Sequence, residues 1–576
     1  MQLDPVFTQI LWNRLIAIVD EAATGLIRTA YTPSVKEYHD FCCAVFDPDG
    51  NMLAHSTVTT AGFLGIVPEV MRNFLKVYPK DTLKPGDAIV TNDPWAASGH
   101  LMDISVASPI FHNGRLVAHT LCIVHHLDMG GRMSTLESKD IYEEGLKIPI
   151  LKLYEGGRLN QTIFDFIRSN IRVPEKVLGD VRAQIAANNV CTAGIASMLM
   201  EYDITEIESL GRELIGRTEA SLRKRISELK DGIYRNDVTL APVPGVREPI
   251  QIKAEVRIEG DTITIDYSGS SGEVGAAINC SYNIARSYTA YPIKLALDPG
   301  VPNNEGGLRP IVVIAPEGTI VNSRPPAATW GRTMIAHLFP EIIFGALEKA
   351  IPDKILGSNG GSPANEIYLH GKHADGRSFL AISQHSGGYG GSAMQDGHSC
   401  LCFPNNTSNI PVEVTENESR MFYVRKELLP DSGGPGRHRG GLGQMVEFEI
   451  LDGGTPESRV VESSVRLSGR FEDSTFPVFG RCGGENGRGY GLWVNETAVD
   501  HGVYRRLAPG DRVKFKISGG GGYGKASERE PAAVERDVRE GYVTEHSAYE
   551  DYGIVLDVDR SVDKAATEAL RAGKNG

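Results

Sequence analysis

The chain has no apolar run approaching the length of a membrane span, so a membrane-embedded protein is not expected. No basic stretch followed by an apolar run occupies Met1-Gln2-Leu3-Asp4-Pro5, so a secretory signal is not expected either. Cysteine is sparse, at 8 of 576 residues, and forms no C-x-x-C. A structural zinc knuckle is therefore not expected, and the expectation is a cytoplasmic protein with reduced thiols. Positive charge is outweighed, with 59 Lys and Arg against 73 Asp and Glu and a formal net charge of -14. Such a chain gains nothing from counterion release, which argues against nucleic acid as a partner. Neither G-x-S-x-G nor H-E-x-x-H occurs, so the common serine-hydrolase and zincin signatures are missing. A Walker A loop is incomplete. Gly519-Gly-Gly-Gly-Tyr-Gly524-Lys525 ends in Ala526, where a hydroxyl would hold Mg²⁺, and the run is expected to be a flexible turn.

What is abundant is glycine, 64 residues, which predicts tight turns and close backbone approaches. With 23% charged and 41% hydrophobic residues the chain is globular in composition. Its length corresponds to roughly four ordinary domain volumes.

Asp4-Pro5 is a helix start, and Phe7, Leu11, Leu15, Ile18, Ala22 and Leu26 extend that helix to about residue 30. Strands are expected at 41–47 and 51–55 around the turn Asp47-Pro-Asp-Gly50, then at 86–91, 103–110 and 115–126. Helices follow near 176–200 and 203–231. Alternation from Ile250 to Ile258 and from Thr262 to Tyr267 then marks a β-hairpin. The expected fold class is α+β. A mixed α/β region at 1–240 precedes a strand-rich, Gly-rich region at 248–524 and a charged tail at 525–576 with a short helix. The linker is placed at Ala241-Pro-Val-Pro-Gly245.

Three segments concentrate metal-ligating side chains where strands meet loops. They are Tyr38-His39-Asp40-Phe41, Thr91-Asn92-Asp93 through His100-Leu-Met-Asp103, and Val124-His125-His126-Leu-Asp128-Met-Gly-Gly131. Mixed imidazole and carboxylate ligands suit Zn, Mn or Fe. Successive residues of a strand face opposite ways, so His125 and His126 cannot both reach one ion from β structure, and spacing does not choose between them. His39 and His119 are read as structural, and His55 as surface or supporting.

These segments resemble the hydantoinase B/oxoprolinase family. The likeness is carried by Glu37-Tyr-His-Asp-Phe-Cys-Cys-Ala-Val-Phe-Asp47, Gly99-His-Leu-Met-Asp-Ile104, His125-His-Leu-Asp-Met-Gly-Gly131, Asn304-Glu-Gly-Gly-Leu-Arg-Pro310 and Ser432-Gly-Gly-Pro-Gly436. The resemblance implies a metal-binding beta-type subunit of an ATP-dependent cyclic amide hydrolase, in a hetero-oligomer with a hydantoinase A-type partner that binds the ATP. The alternative within the family is a subunit of a ketone carboxylase of the acetone or acetophenone type. It further implies Asp40, His100, Asp103 and His125 as metal ligands, favouring His125 over His126. Asn92, His126 and Asp128 would be supporting groups. Asp128 and Glu144 are also the candidates for the catalytic base.

Overall fold

The structure is a computed structural model that describes residues 4–132, 135–240, 242–361, 365–466 and 478–574. Met1–Leu3 and Ala241 of the expected linker lie outside the described residues.

Asp4 caps the first helix as its sequence suggests, accepting from the N–H of Val6 at 2.7 Å and of Phe7 at 3.2 Å. The helix runs Pro5–Thr29 and buries Leu11, Leu15, Ile18, Ala22 and Leu26. The Asp47 carboxylate then closes the next turn on the N–H groups of Asp49 and Asn51, and Gly50 takes a left-handed conformation there (φ 85°).

That turn joins strands β1 (Phe41–Phe46) and β2 (Met52–His55) of a seven-stranded sheet. Its other strands are β3 (Ala88–Thr91), β4 (Asp103–His112), β5 (Arg115–His125), β6 (Leu151–Glu155) and β7 (Arg158–Leu159). The order is β2-β1-β5-β4-β3-β6-β7. Both faces of the central strands are buried, and alternation decides which core each side chain joins. Phe41, Cys43 and Val45 of β1, with Cys122 and Val124 of β5, pack against the first helix and the helix Pro174–Glu201. Cys42, Ala44 and Phe46, with Leu121 and Ile123, face the other way.

On that second side lies a four-stranded sheet of β8 (Gly232–Leu240), β9 (Ile250–Glu259), β10 (Thr262–Asp266) and β11 (Ile311–Ile314), in the order β11-β10-β9-β8. Ile250, Ile252, Ala254, Val256 and Ile258 point inward at every second residue and share one continuous core with the first sheet. The boundary expected at 240–248 therefore falls inside a hairpin, because β8 and β9 pair along their whole length.

Two further sheets form the strand-rich remainder. One orders Ser378–Gln384, Glu366–Lys372, Val461–Arg466 and Tyr504–Leu507. The other orders Met421–Leu428, Gln444–Ile450, Arg512–Ile517, Gly491–Val494 and Thr497–Ala498. Ile367, Leu369, Val446, Phe448 and Phe515 pack between them. The tail carries three helices, Pro531–Arg539, Glu545–Glu550 and Lys564–Lys574, and has a small core around Val534 and Tyr552. Arg529 ties it to the body through Asp396, at 2.6 Å.

The glycine run 519–524 is a buried strut, which corrects the expectation of a flexible turn. Its backbone bonds outward to several neighbours at once. The N–H of Gly520 reaches the carbonyl of Gly441 at 2.9 Å, that of Gly521 reaches Ser358 at 2.8 Å, and that of Gly522 reaches Glu485 at 2.9 Å. Extended chains that lie this close leave no room for Cβ atoms, which is why glycine recurs at 388, 441 and 520.

Candidate metal centre

Three strand ends converge at the site. Asp103 begins β4, His125 ends β5, and the two are direct partners across the ladder, so both side chains leave the same face. The N–H of His125 donates to the carbonyl of Asp40 at 3.1 Å, which sets Asp40 beside them just ahead of β1. His100 arrives on the β3–β4 loop. Asn92 shapes that loop by donating to the carbonyls of Leu101 and Leu146 and accepting from the N–H of Ile148. Asp93 caps its first turn on the N–H of Trp95.

His100, Asp103 and His125 are buried, and one potential ligand atom from each lies within 4.8 Å of the others. His100 Nε2 is 2.9 Å from Asp103 Oδ2, and the two imidazole rings are 5.3 Å apart. Arg332 donates to the same Oδ2 at 2.8 Å and to the carbonyl of Ser98. Asp103 Oδ1 is buried with no hydrogen-bond partner, although a buried carboxylate oxygen ordinarily has one. Asp40 lines the same cavity but stands outside this trio, and its Oδ1 accepts from Thr60 at 2.8 Å.

The electrostatics suit a cation. Burial lowers His125 to about 3 and also depresses His100, helped by Arg332, so both imidazoles are neutral and keep a lone pair. Burial works against ionisation of Asp103, yet His100 and Arg332 hold its carboxyl below the usual range. Burial, and then the neighbouring Asp103 charge, pushes Asp40 up to about 7. Two neutral imidazoles and a carboxylate with an unpartnered oxygen fit a divalent transition metal.

The structure also resolves the alternation at the end of β5. His125 continues the face of Leu121 and Ile123, whereas His126 turns to the opposite side, where its Nε2 meets Gln184 Oε1 at 3.1 Å. Gln184 in turn bonds the carbonyls of Ile104 and Cys122. His126 thus buttresses the sheet behind the cluster. His119 meets the carbonyl of Pro48, His39 meets Ser408, and His55 lines a separate large pocket.

Neither candidate base lies in the cavity. Asp128 is taken up by the side chain and N–H of Arg172 and by the N–H of Gly130. Glu144 accepts from the N–H groups of Thr329 and Trp330, each at 2.8 Å. It thereby fixes the turn that delivers Arg332 to Asp103 and the Trp330 carbonyl to His100. Arg332, Thr60, Tyr288, Glu366 and Asn405, which are among the other residues lining the cavity, have no flag in the sequence, since none sits in a recognisable motif.

Burial raises Glu144 to about 7. Between about pH 4.5 and 7 the folded chain keeps a proton that the unfolded chain has released, so this group makes stability fall as pH rises. Glu144→Gln keeps an acceptor for both N–H groups and removes the titration. The decline of Tm from pH 5 to 7 is expected to be shallower in the variant, and an unchanged decline in thermal melts would contradict this placement.

The fold and the cluster together describe a protein whose candidate metal site stands at the ends of an antiparallel sheet. The chain belongs to the hydantoinase B/oxoprolinase family, whose pattern matches residues 4–526. It is 27% identical to the B-type component of a putative D-/L-hydantoinase from Pseudomonas sp. (strain NS671), over 99% of this chain and 98% of that one. It is 28% identical to the caprolactamase beta subunit of Pseudomonas jessenii, over 99% of each. The crystal structure of that ATP-dependent caprolactamase superposes with a TM-score of 0.88 over 99% of this chain and all of the matched one, at 26% identity. A nucleotide-free acetone carboxylase superposes with a TM-score of 0.86 at 20% identity, over 99% of this chain and 83% of that one, and so shares the fold. Among the described residues no helix is long and apolar enough to cross a membrane.

Proposed function

We propose that the chain is the metal-binding beta-type subunit of an ATP-dependent cyclic amide hydrolase, which opens a ring whose carbonyl oxygen has been phosphorylated by a hydantoinase A-type partner. One observation carries this reading: a buried cluster of two neutral imidazoles and a carboxylate, with Asp103 Oδ1 unpartnered, at the mouth of converging strands. The end-to-end likeness to a caprolactamase beta subunit and to a hydantoinase component supports the substrate class.

His100, Asp103 and His125 would hold a Zn, Mn or Fe ion, with Asp40 as a fourth ligand after turning from Thr60. When bound, the metal supplies Lewis-acid polarisation and a water of lowered pKa. The protein's own groups arrange everything else. Arg332 fixes Asp103 in one orientation and offsets its charge. Glu144 holds the Thr329–Trp330 turn, and Asn92 holds the His100 loop. Asp128 and His126 are positioning groups in this reading, because other contacts occupy both. ATP belongs to the partner, in keeping with the incomplete Walker A run, whose glycines are buried backbone.

The test is the purified two-subunit complex assayed with lactams and hydantoins. ATP-dependent ring opening that needs no bicarbonate is expected. ATP turnover on ketones that requires bicarbonate, with no ring opening, would overturn the hydrolase reading in favour of carboxylation.

A further inference from the structure

The cavity at the cluster has a volume of about 30 Å³. One water needs roughly 10–15 Å³, so this space admits about two waters and no ring. Beside it lies a pocket of about 480 Å³, within the size range of ordinary small-molecule sites.

The two spaces share a wall made of two short segments. Thr59 and Ala61 line the large pocket, and Thr60 between them lines the small cavity. Pro404 and Asn406 line the large pocket, and Asn405 between them lines the small one. The segments are joined by the N–H of Ala61 donating to the carbonyl of Asn405 at 3.0 Å. One helix, Tyr282–Leu297, serves both spaces, presenting Tyr288 to the small one and Tyr291 to the large one. Tyr288 also donates to Asn405 Oδ1 at 2.8 Å.

The lining of the large pocket is mostly aliphatic and aromatic, including Met52, Leu64, Leu308 and Phe403, and it contains no carboxylate among the described residues. Lys294 reaches the wall, but its ammonium caps the backbone carbonyls of Asp298 and Val301. The Tyr291 hydroxyl is different, because it is buried and has no hydrogen-bond partner. A buried hydroxyl without a partner costs free energy that a ligand's carbonyl or amide would recover. Leu295 and Leu401, 42% and 44% exposed, flank the open mouth.

From this geometry we infer that the large pocket is the substrate subsite, holding a neutral cyclic amide with its polar group at the Tyr291 hydroxyl and its aliphatic ring against Leu64, Leu308 and Phe403, one Thr60–Asn405 partition away from the cluster. This rests on the cyclic-amide reading above. It adds where the ring sits and which residues select it.

The experiment measures binding of δ-valerolactam to the full chain by ligand-observed NMR without ATP, for wild type, Leu295→Trp and Tyr291→Phe. Metal content and Tm are recorded alongside. Leu295→Trp fills the mouth and is expected to weaken binding at least about ten-fold. Tyr291→Phe loses one hydrogen bond and is expected to weaken it about five-fold. Metal content should be unchanged in both, and Tm unchanged in Leu295→Trp and slightly higher in Tyr291→Phe, which removes an unpaired buried hydroxyl. No binding by wild type, equal affinity in all three proteins, or displacement of the lactam by added ATP-binding partner would each overturn the subsite. Ring opening is measured separately. Opening that persists with affinity unchanged removes the subsite and leaves the function standing. Variant-sensitive binding in a complex that opens no ring does the reverse.

Discussion

Replacing His100 and Asp103 together by alanine is expected to reduce bound metal from about one ion per chain to near zero and ring opening by more than about 100-fold. Groups that merely support metal ligands typically cost 10–100-fold, so removing two ligands should exceed that range. The double variant carries a second effect that must be separated from the first. Asp103 is fully buried and paired with Arg332, so its loss strands a buried guanidinium, at about 3–5 kcal/mol. His125→Ala gives the cleaner comparison, because no salt bridge is broken. It should lose metal while its Tm stays close to that of the metal-free wild type. Metal retained in both variants, measured by elemental analysis, would show that the cluster is not the binding site.

The other large effect lies in the packed glycine segments. Gly388→Ala is expected to prevent folding or to cost at least about 3 kcal/mol. A Cβ at Gly388 would stand 1.9 Å from the carbonyl oxygen of Gly441 and 2.4 Å from the backbone nitrogen of Gly520. Both obstacles are main chain, so no rotamer change relieves them. Gly388 also donates to the carbonyl of Ser518 at 3.0 Å, and Gly441 to that of Tyr389 at 2.8 Å, so displacing one strut disturbs its neighbours. Gly216→Ala is the control. It sits in the helix Glu208–Ser227 with nothing within 4 Å, and there alanine should stabilise by up to about 1 kcal/mol. Soluble expression and chemical denaturation of the two variants check both statements.

These two sites also mark what could be read from the sequence. The Asp4-Pro5 cap, the Asp47–Gly50 turn and the alternation from Ile250 to Ile258 depend on local chemistry, and the corresponding elements form where that chemistry places them. The candidate ligand trio is visible as clustered His and Asp at strand ends. Alternation alone does not choose between His125 and His126, since the choice depends on which core each face of β5 meets. Arg332 is invisible in the sequence because its role comes from a pairing across 229 residues. Glu144 suggests a base only through the family resemblance, but its carboxylate is spent on two backbone N–H groups. The glycine run looks flexible because composition reports the absence of side chains and not the neighbouring chains that fill the space they leave.

The central claim is that His100, Asp103 and His125 form a metal centre, and X-ray absorption at the metal edge of the purified wild-type chain tests it most directly. About one transition-metal ion per chain is expected, bound by nitrogen and oxygen with two imidazole signatures and no sulfur. A chain that takes up no ion when loaded, or an ion bound through cysteine sulfur, would contradict it.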